Sequence, residues 1–424
     1  MKIFVFCMVL MVFSLVTGNL FAQKTKPNYD ESKVPKYVLP NPLQSPKLGT
    51  IKTPEDWYNK RRLELLTLFK QEEYGQMPGV DPSKIKFETL TSVSDALSGK
   101  ATRKEVRVYF DSPNKEPKID LLIYIPNKRK GPVPAFLGYN YKGNHSVVDD
   151  PGVAACPPIE GSRYGKVVPE EHRAENKHRW SLDRIIDAGY ALVTGCYEQV
   201  DPDKNEGFNN GIHLLFKKEF PDKEAGDFPA NISGWAWALS RILDCLEKMP
   251  EINAKKVIAI GHSRLGKTAL WAGANDTRFA AIISNNSGCG GAALSKRAFG
   301  ETVELINLGA PHWFCKNFKK YNKKEEDLTF DQHELIALIA PRPVYIASAT
   351  QDEWADPKGE FLSGLYADPV YRLLGTDGIG DCKEWPPADH PVGKTIRYHL
   401  RTGKHDVTDY DWEQYIRFAD ELVK

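Results

Sequence analysis

Short apolar runs rich in β-branched and aromatic residues recur along the chain, separated by stretches with helical spacing. The runs cover 106–110, 121–125, 135–139, 191–195, 257–260, 281–284, 344–349 and 395–400. The central runs are rich in Ala, Ile and Val and lack polar alternation, as expected of strands buried on both faces. A helical pattern spans 54–74, where Trp57, Leu63, Leu66, Leu68 and Phe69 form an apolar stripe among charges. Further helical patterns at 181–188 and 234–248 precede strands, and one at 265–274 follows a strand. Two neighbouring strands followed by strand–helix alternation predict an α/β fold: a three-layer αβα sandwich around a mostly parallel sheet. Two long connections, 141–180 and 311–330, interrupt the order. Connections of that length often build functional rims.

The ends of the chain read differently. Residues 1–22 begin with Lys2, continue through an apolar run at 3–16 and close near Ala22. This is the layout of a secretory signal peptide, predicting an exported protein, periplasmic or secreted. A membrane anchor is the alternative, but the run is short for a span. Residues 23–50 hold five prolines among polar residues and are expected to form an extended leader with few contacts. A single catalytic domain is then expected over 51–424.

Without residues 1–22, 56 basic side chains stand against 56 acidic ones. That balance argues against electrostatic capture of nucleic acid or of a membrane surface. Cysteines 156, 196, 245, 289, 315 and 382 form no CxxC pair, so neither a metal site nor a thioredoxin-type centre is expected. Cys196 and Cys245 lie in apolar segments and read as small core residues. One disulfide is possible in an exported chain. No cofactor is expected, and a monomer is.

The most informative stretch is 255–271. An apolar strand ends at Gly261, a helix begins almost at once, and Ser263 falls on the turn between them. Such an elbow holds a serine hydroxyl out of the surface and aims the next backbone N–H, that of Arg264, at a developing oxyanion. The helix N-terminus adds a favourable field. The glycine follows one place later than in the usual G-x-S-x-G pattern, so the strand–turn–helix context carries the reading. Residues 261–268 also fit the phosphate-loop pattern G-x-x-x-x-G-K-[ST]. The export signal, the lack of a later strand ending in a suitable Asp, and four candidate strands before the motif argue against an NTPase.

A serine needs a base, and in α/β-hydrolases the chain order is Ser, acid, His. Four histidines follow residue 320. His333 lies in a helical apolar pattern, His390 in a proline-rich loop and His399 inside the last strand. His405 alone follows the final strand, where the base belongs. The acid should follow strand 344–349, where Asp352, Glu353 and Asp356 stand. Asp352 comes first after the strand. Asp356 precedes Pro357 and suits the start of a turn.

These residues resemble the glucuronoyl esterases, carbohydrate esterase family 15. The resemblance is carried by Gly261, Ser263, Arg264, Gly266 and Lys267. Supporting it are 234–237 with Arg241 and Asp244, 287–291, 340–343, 352–357 and 410–412, together with Trp57 and the block at 73–78. It implies an α/β-hydrolase fold and cleavage of 4-O-methyl-D-glucuronic acid esters, such as those joining glucuronoxylan to lignin alcohols. It also implies that Arg264 donates to the oxyanion, that Lys267 and Glu301 contact the sugar, and that Trp354 offers a stacking face. In one place the chain departs from the pattern. Many members carry Glu before a Ser-Gly pair after the strand that follows the elbow, and here Asn286 stands there. The acid then has to come from the alternative position, which Asp352 matches. Two other readings stay open: a different carbohydrate esterase, such as one removing acetyl groups from xylan, and a glycan-binding pseudoenzyme.

Overall fold

The computed structural model describes residues 26–111, 116–164 and 169–424. The expected signal peptide at 1–22 lies outside the described residues. Among these, no helix is long and apolar enough to cross a membrane.

One ten-stranded sheet forms the middle layer. Its strands are β1 (Lys86–Ala96), β2 (Ala101–Tyr109), β3 (Lys118–Pro126), β4 (Val133–Asn140), β5 (Ala191–Cys196), β6 (Ile252–His262), β7 (Ala281–Asn285), β8 (Val344–Ala349), β9 (Val392–Gly393) and β10 (Ile396–Arg401). Their spatial order is β9-β10-β8-β7-β6-β4-β5-β3-β2-β1. The run from β5 through β4, β6, β7 and β8 to β10 is parallel. The β1–β2, β2–β3, β3–β5 and β9–β10 pairings are antiparallel. All eight predicted strands are present. Two strands of this sheet are additional: β9 is only two residues long, and β1 is an edge strand whose side chains are mostly exposed, so no apolar run marks either.

The sheet separates two cores, and alternate residues of each strand feed opposite ones. Val257 and Ala259 face the larger core, while Ile258 and Ile260 face the smaller. The smaller core is covered by α1 (Leu182–Asp187) and by Trp412, Tyr415 and Phe418 of the C-terminal helix. The larger is covered by α2 (Asn231–Leu246), α3 (Arg264–Asn275), α5 (Gln332–Ala337) and α6 (Pro357–Leu373). Helix α4 (Val303–Gly309) caps the sheet end where the site forms, and α7 (Asp409–Leu422) ends the chain. Helix α2 is buried on nearly every side, with Trp235 and Trp237 inside.

The leader does not match its expectation. Residues 26–50 hold one helical turn at Glu31–Lys33 and a short antiparallel pairing of Gln44–Ser45 with Gly49–Thr50, are otherwise irregular, and are fastened to the domain: Glu31 pairs with Arg297 and Lys358, the Asn28 carbonyl accepts from Gly300 N–H, and the carbonyls of Pro40 and Pro42 meet His333 and Arg61. Proline-rich polar composition lowers helix and strand propensity, yet it leaves backbone carbonyls available to side chains of the domain. All six cysteines among the described residues are free thiols, and Cys196 and Cys245 are buried as expected.

Candidate active site

The elbow forms where β6 hands over to α3. Ser263 occupies φ 56°, ψ −129°, a left-handed conformation that a residue with a Cβ adopts only when its surroundings enforce it. The surroundings do enforce it. The Ser263 N–H donates to the Asn285 carbonyl at 2.8 Å, and its own carbonyl accepts from Gly266 N–H at 2.8 Å. A Cβ at Gly261 would lie 1.9 Å from the Leu265 carbonyl oxygen, so only glycine allows strand and helix to meet this tightly.

The other two predicted partners arrive on the loops after β8 and β10. His405 Nδ1 lies 2.6 Å from Asp352 Oδ2. An ionised carboxylate only accepts, so the proton sits on Nδ1 and leaves Nε2 as the basic nitrogen. Asp352 is buried, whereas the His405 side chain is 40% exposed. The same Asp352 oxygen accepts from Asn286 Nδ2 at 2.7 Å. Asn286 thus occupies the departing position as a donor to the acid. Asp356, as expected, begins a helix: it accepts from Gly359 N–H and pairs with Arg297 at 2.8 Å.

Ser263, His405 and Asp352 line a cleft of about 480 Å³ together with Arg264, Lys267, Asn286, Glu301 and Trp354. All seven site residues expected from the sequence therefore converge on one cleft. Lys267 projects from the first turn of α3. Its ammonium donates to the Cys289 carbonyl at 2.6 Å and lies 3.3 Å from Glu301 Oε2, with the Ser287 carbonyl as third acceptor. This amine is engaged within the domain, unlike one waiting for a triphosphate. Glu301 is tied to the rim by its N–H, which donates to the Trp354 carbonyl at 2.8 Å. Trp354 is left 40% exposed.

Arg264 lies in an aromatic cradle that sequence reasoning missed. Its guanidinium stacks over Trp313 at 4.9 Å and Tyr141 at 5.4 Å, and it donates to Tyr197 Oη and Asp203 Oδ2, both at 3.0 Å. Burial works to neutralise it, but Tyr197, Tyr141 and Asp203 outweigh burial and hold it firmly cationic. Its Nε–H is buried without a partner among the described residues, a donor in want of an acceptor. Behind His405 lies His262, with ring centroids 4.4 Å apart. Burial, with His405 and Arg179 nearby, depresses the His262 pKa well below the usual imidazole value, so it packs as a neutral ring. Both long connections contribute as rims: Arg163 from one and Trp313 from the other line the cleft.

A serine on a strand–turn–helix elbow at the parallel centre of an αβα sheet, with a histidine–carboxylate pair in the same cleft, places the molecule in the α/β-hydrolase class. Comparison with known proteins narrows this. A family model for fungal glucuronyl esterases matches residues 181–375. A carbohydrate esterase from an unknown prokaryotic organism is 46% identical over 407 residues, covering 95% of this chain and 93% of that one. A solved glucuronoyl esterase from Solibacter usitatus is 44% identical with a TM-score of 0.88, over 93% of this chain and all of that one. A solved esterase of carbohydrate esterase family 15 from a marine bacterial metagenome, described as promiscuous, is 46% identical with a TM-score of 0.85, over 94% of this chain and all of that one. The chain belongs to carbohydrate esterase family 15, the glucuronoyl esterases, and is a carboxylic ester hydrolase.

Proposed function

We propose that this protein hydrolyses esters of 4-O-methyl-D-glucuronic acid, including those joining glucuronoxylan to lignin alcohols. Ser263 attacks the uronoyl carbonyl while His405 Nε2 takes its proton, and Asp352 orients the imidazole and stabilises its charged form. Arg264, with backbone N–H groups at the start of α3, receives the oxyanion of each tetrahedral intermediate. His405 then returns the proton to the leaving alcohol, and water repeats the sequence on the acyl-enzyme.

The observation that carries the substrate reading is the Lys267–Glu301 pair beside the elbow. It puts a buried cation and a carboxylate, 3.3 Å apart, on the cleft wall next to the nucleophile. The three ammonium protons of Lys267 go to Glu301 and two backbone carbonyls, so the lysine fixes the carboxylate, and Glu301 is the acceptor that suits the vicinal hydroxyls of a pyranose, while the exposed indole of Trp354 offers a face for its C–H surface. A small acetyl group has no hydroxyls to engage that carboxylate. In keeping with this, fungal relatives, including one from Wolfiporia cocos 36% identical over 183 residues, are named 4-O-methyl-glucuronoyl methylesterases. We also propose that the chain is exported with residues 1–22 as its signal, consistent with an extracellular polysaccharide substrate.

A panel of benzyl glucuronate, benzyl galacturonate and acetylated xylan tests the substrate. The expected result is turnover of the glucuronate at least about tenfold faster than of the galacturonate, with little acetate release. A chain that releases acetate faster than it cleaves the glucuronate has a different substrate.

A further inference from the structure

The catalytic reading needs Arg264 at a fixed place, but the residue that fixes it is not in the cleft wall. Asp203 follows β5 in a polar loop, and its side chain is fully buried. Both its oxygens are saturated. Oδ1 accepts from Trp313 Nε1 at 2.7 Å and His312 Nε2 at 2.8 Å. Oδ2 accepts from Tyr197 Oη at 2.8 Å and Arg264 Nη1 at 3.0 Å. Arg163, over the same Trp313 ring at 5.6 Å, adds a second, more exposed cation 3.7 Å from Oδ2.

We propose that Asp203 is a positioning residue for catalysis: its carboxylate, held by Trp313, His312 and Tyr197, clamps the Arg264 guanidinium at the oxyanion site. The inference rests on the oxyanion role of Arg264 proposed above. An arginine side chain has much rotamer entropy to lose, and an oxyanion donor must sit within about 0.5 Å of its working place. The aromatic rings of Trp313, Tyr141 and Tyr197 confine the guanidinium plane, but stacking leaves it free to slide. The two donors on Oδ1 stop the carboxylate from rotating. With the carboxylate fixed, Oδ2 fixes one guanidinium nitrogen, leaving Nε–H without a protein partner. Burial works to raise the Asp203 pKa, but His312, Arg264 and Trp313 outweigh it and bring it down to about 2. The clamp is therefore ionised across the working pH range.

The test is a double-mutant cycle on benzyl glucuronate hydrolysis. Asp203→Asn keeps the size but turns an amide donor or a neutral oxygen toward Arg264. It should lower kcat about 10- to 100-fold with KM within about threefold, and Asp203→Glu should recover part of the loss. In an Arg264→Ala background the same Asp203→Asn change should alter kcat by less than about twofold, because a residue that acts only through Arg264 has nothing left to position. If Asp203→Asn does not fold, His312→Leu removes one donor from Oδ1 and should show the same dependence on Arg264 with a smaller loss. Equal losses in both backgrounds, or a wild-type kcat for well-folded Asp203→Asn, overturn the proposal. If Arg264→Ala itself keeps full turnover, the oxyanion reading fails instead.

Discussion

At the scale of the residue, the Asp352 oxygen that meets His405 Nδ1 also meets Asn286 Nδ2. An amide cannot stabilise an imidazolium as a carboxylate does, but it can hold the carboxylate that does so. Asn286 itself adopts φ 47°, and its Oδ1 is buried without a partner among the described residues, so the side chain is placed for its donor. A hydrogen bond to a charged acceptor contributes roughly 1.5–3 kcal/mol. Asn286→Ala is therefore expected to lower kcat about tenfold or more with little change in KM, read by steady-state kinetics on a glucuronate ester. Unchanged turnover would show that Asp352 needs no such support. Asp352 and His405 were legible from the sequence because each is placed by a strand end, whose apolar run is visible. Asp203 was not. It lies in a polar stretch with no periodicity, and its partners Arg264 and His312 stand 61 and 109 residues away.

At the scale of the element, the turn after β7 shows how a buried acid can serve backbone geometry. Glu360, on α6, accepts from the N–H groups of Ser287 and Gly288 at 2.7 and 3.0 Å and from Ser348 Oγ at 2.6 Å. This holds the turn that presents Asn286. Burial raises the Glu360 pKa to about 8, only partly offset by Ser348 and the Gly288 N–H, with Asp352 adding to the rise. A carboxyl raised in the fold above its ordinary value of 4.5 favours the folded state most below that value. The contribution is then lost as pH rises through about 8. Glu360→Gln keeps an acceptor for the backbone and an N–H for Ser348 but removes the titration. Thermal melts of wild type and variant should diverge with rising pH, wild type losing ground to the variant between about pH 5 and 8. Parallel melting curves across that range would mean that Glu360 does not titrate there. The elbow of β6 and α3 was readable because Gly261 and Gly266 bracket an apolar run and a helical pattern. Strand β1 was not readable, because an exposed edge strand has no apolar face to display.

At the scale of the whole molecule, the fold class followed from the spacing of buried strands, while the path of the leader did not. Asn28, Glu31, Pro40 and Pro42 engage separate parts of the domain through a carboxylate and backbone carbonyls, which composition cannot show. The Asn28 contact reaches Gly300, next to Glu301, so the leader braces the proposed sugar side of the cleft. Removing the residues up to 40 is expected to lower the melting temperature by a few degrees and to raise KM for glucuronate esters more than it lowers kcat. A truncated protein with unchanged KM would show that the rim stands alone. Every role proposed for the cleft depends on Ser263, at the elbow where β6 meets α3, being the nucleophile of ester hydrolysis. The most direct measurement is the kcat of Ser263→Ala on the benzyl ester of 4-O-methyl-D-glucuronic acid, beside wild type. A loss of at least about 10⁴-fold is expected in a folded protein that still binds the free uronic acid; turnover at the wild-type rate would show that Ser263 is not the nucleophile.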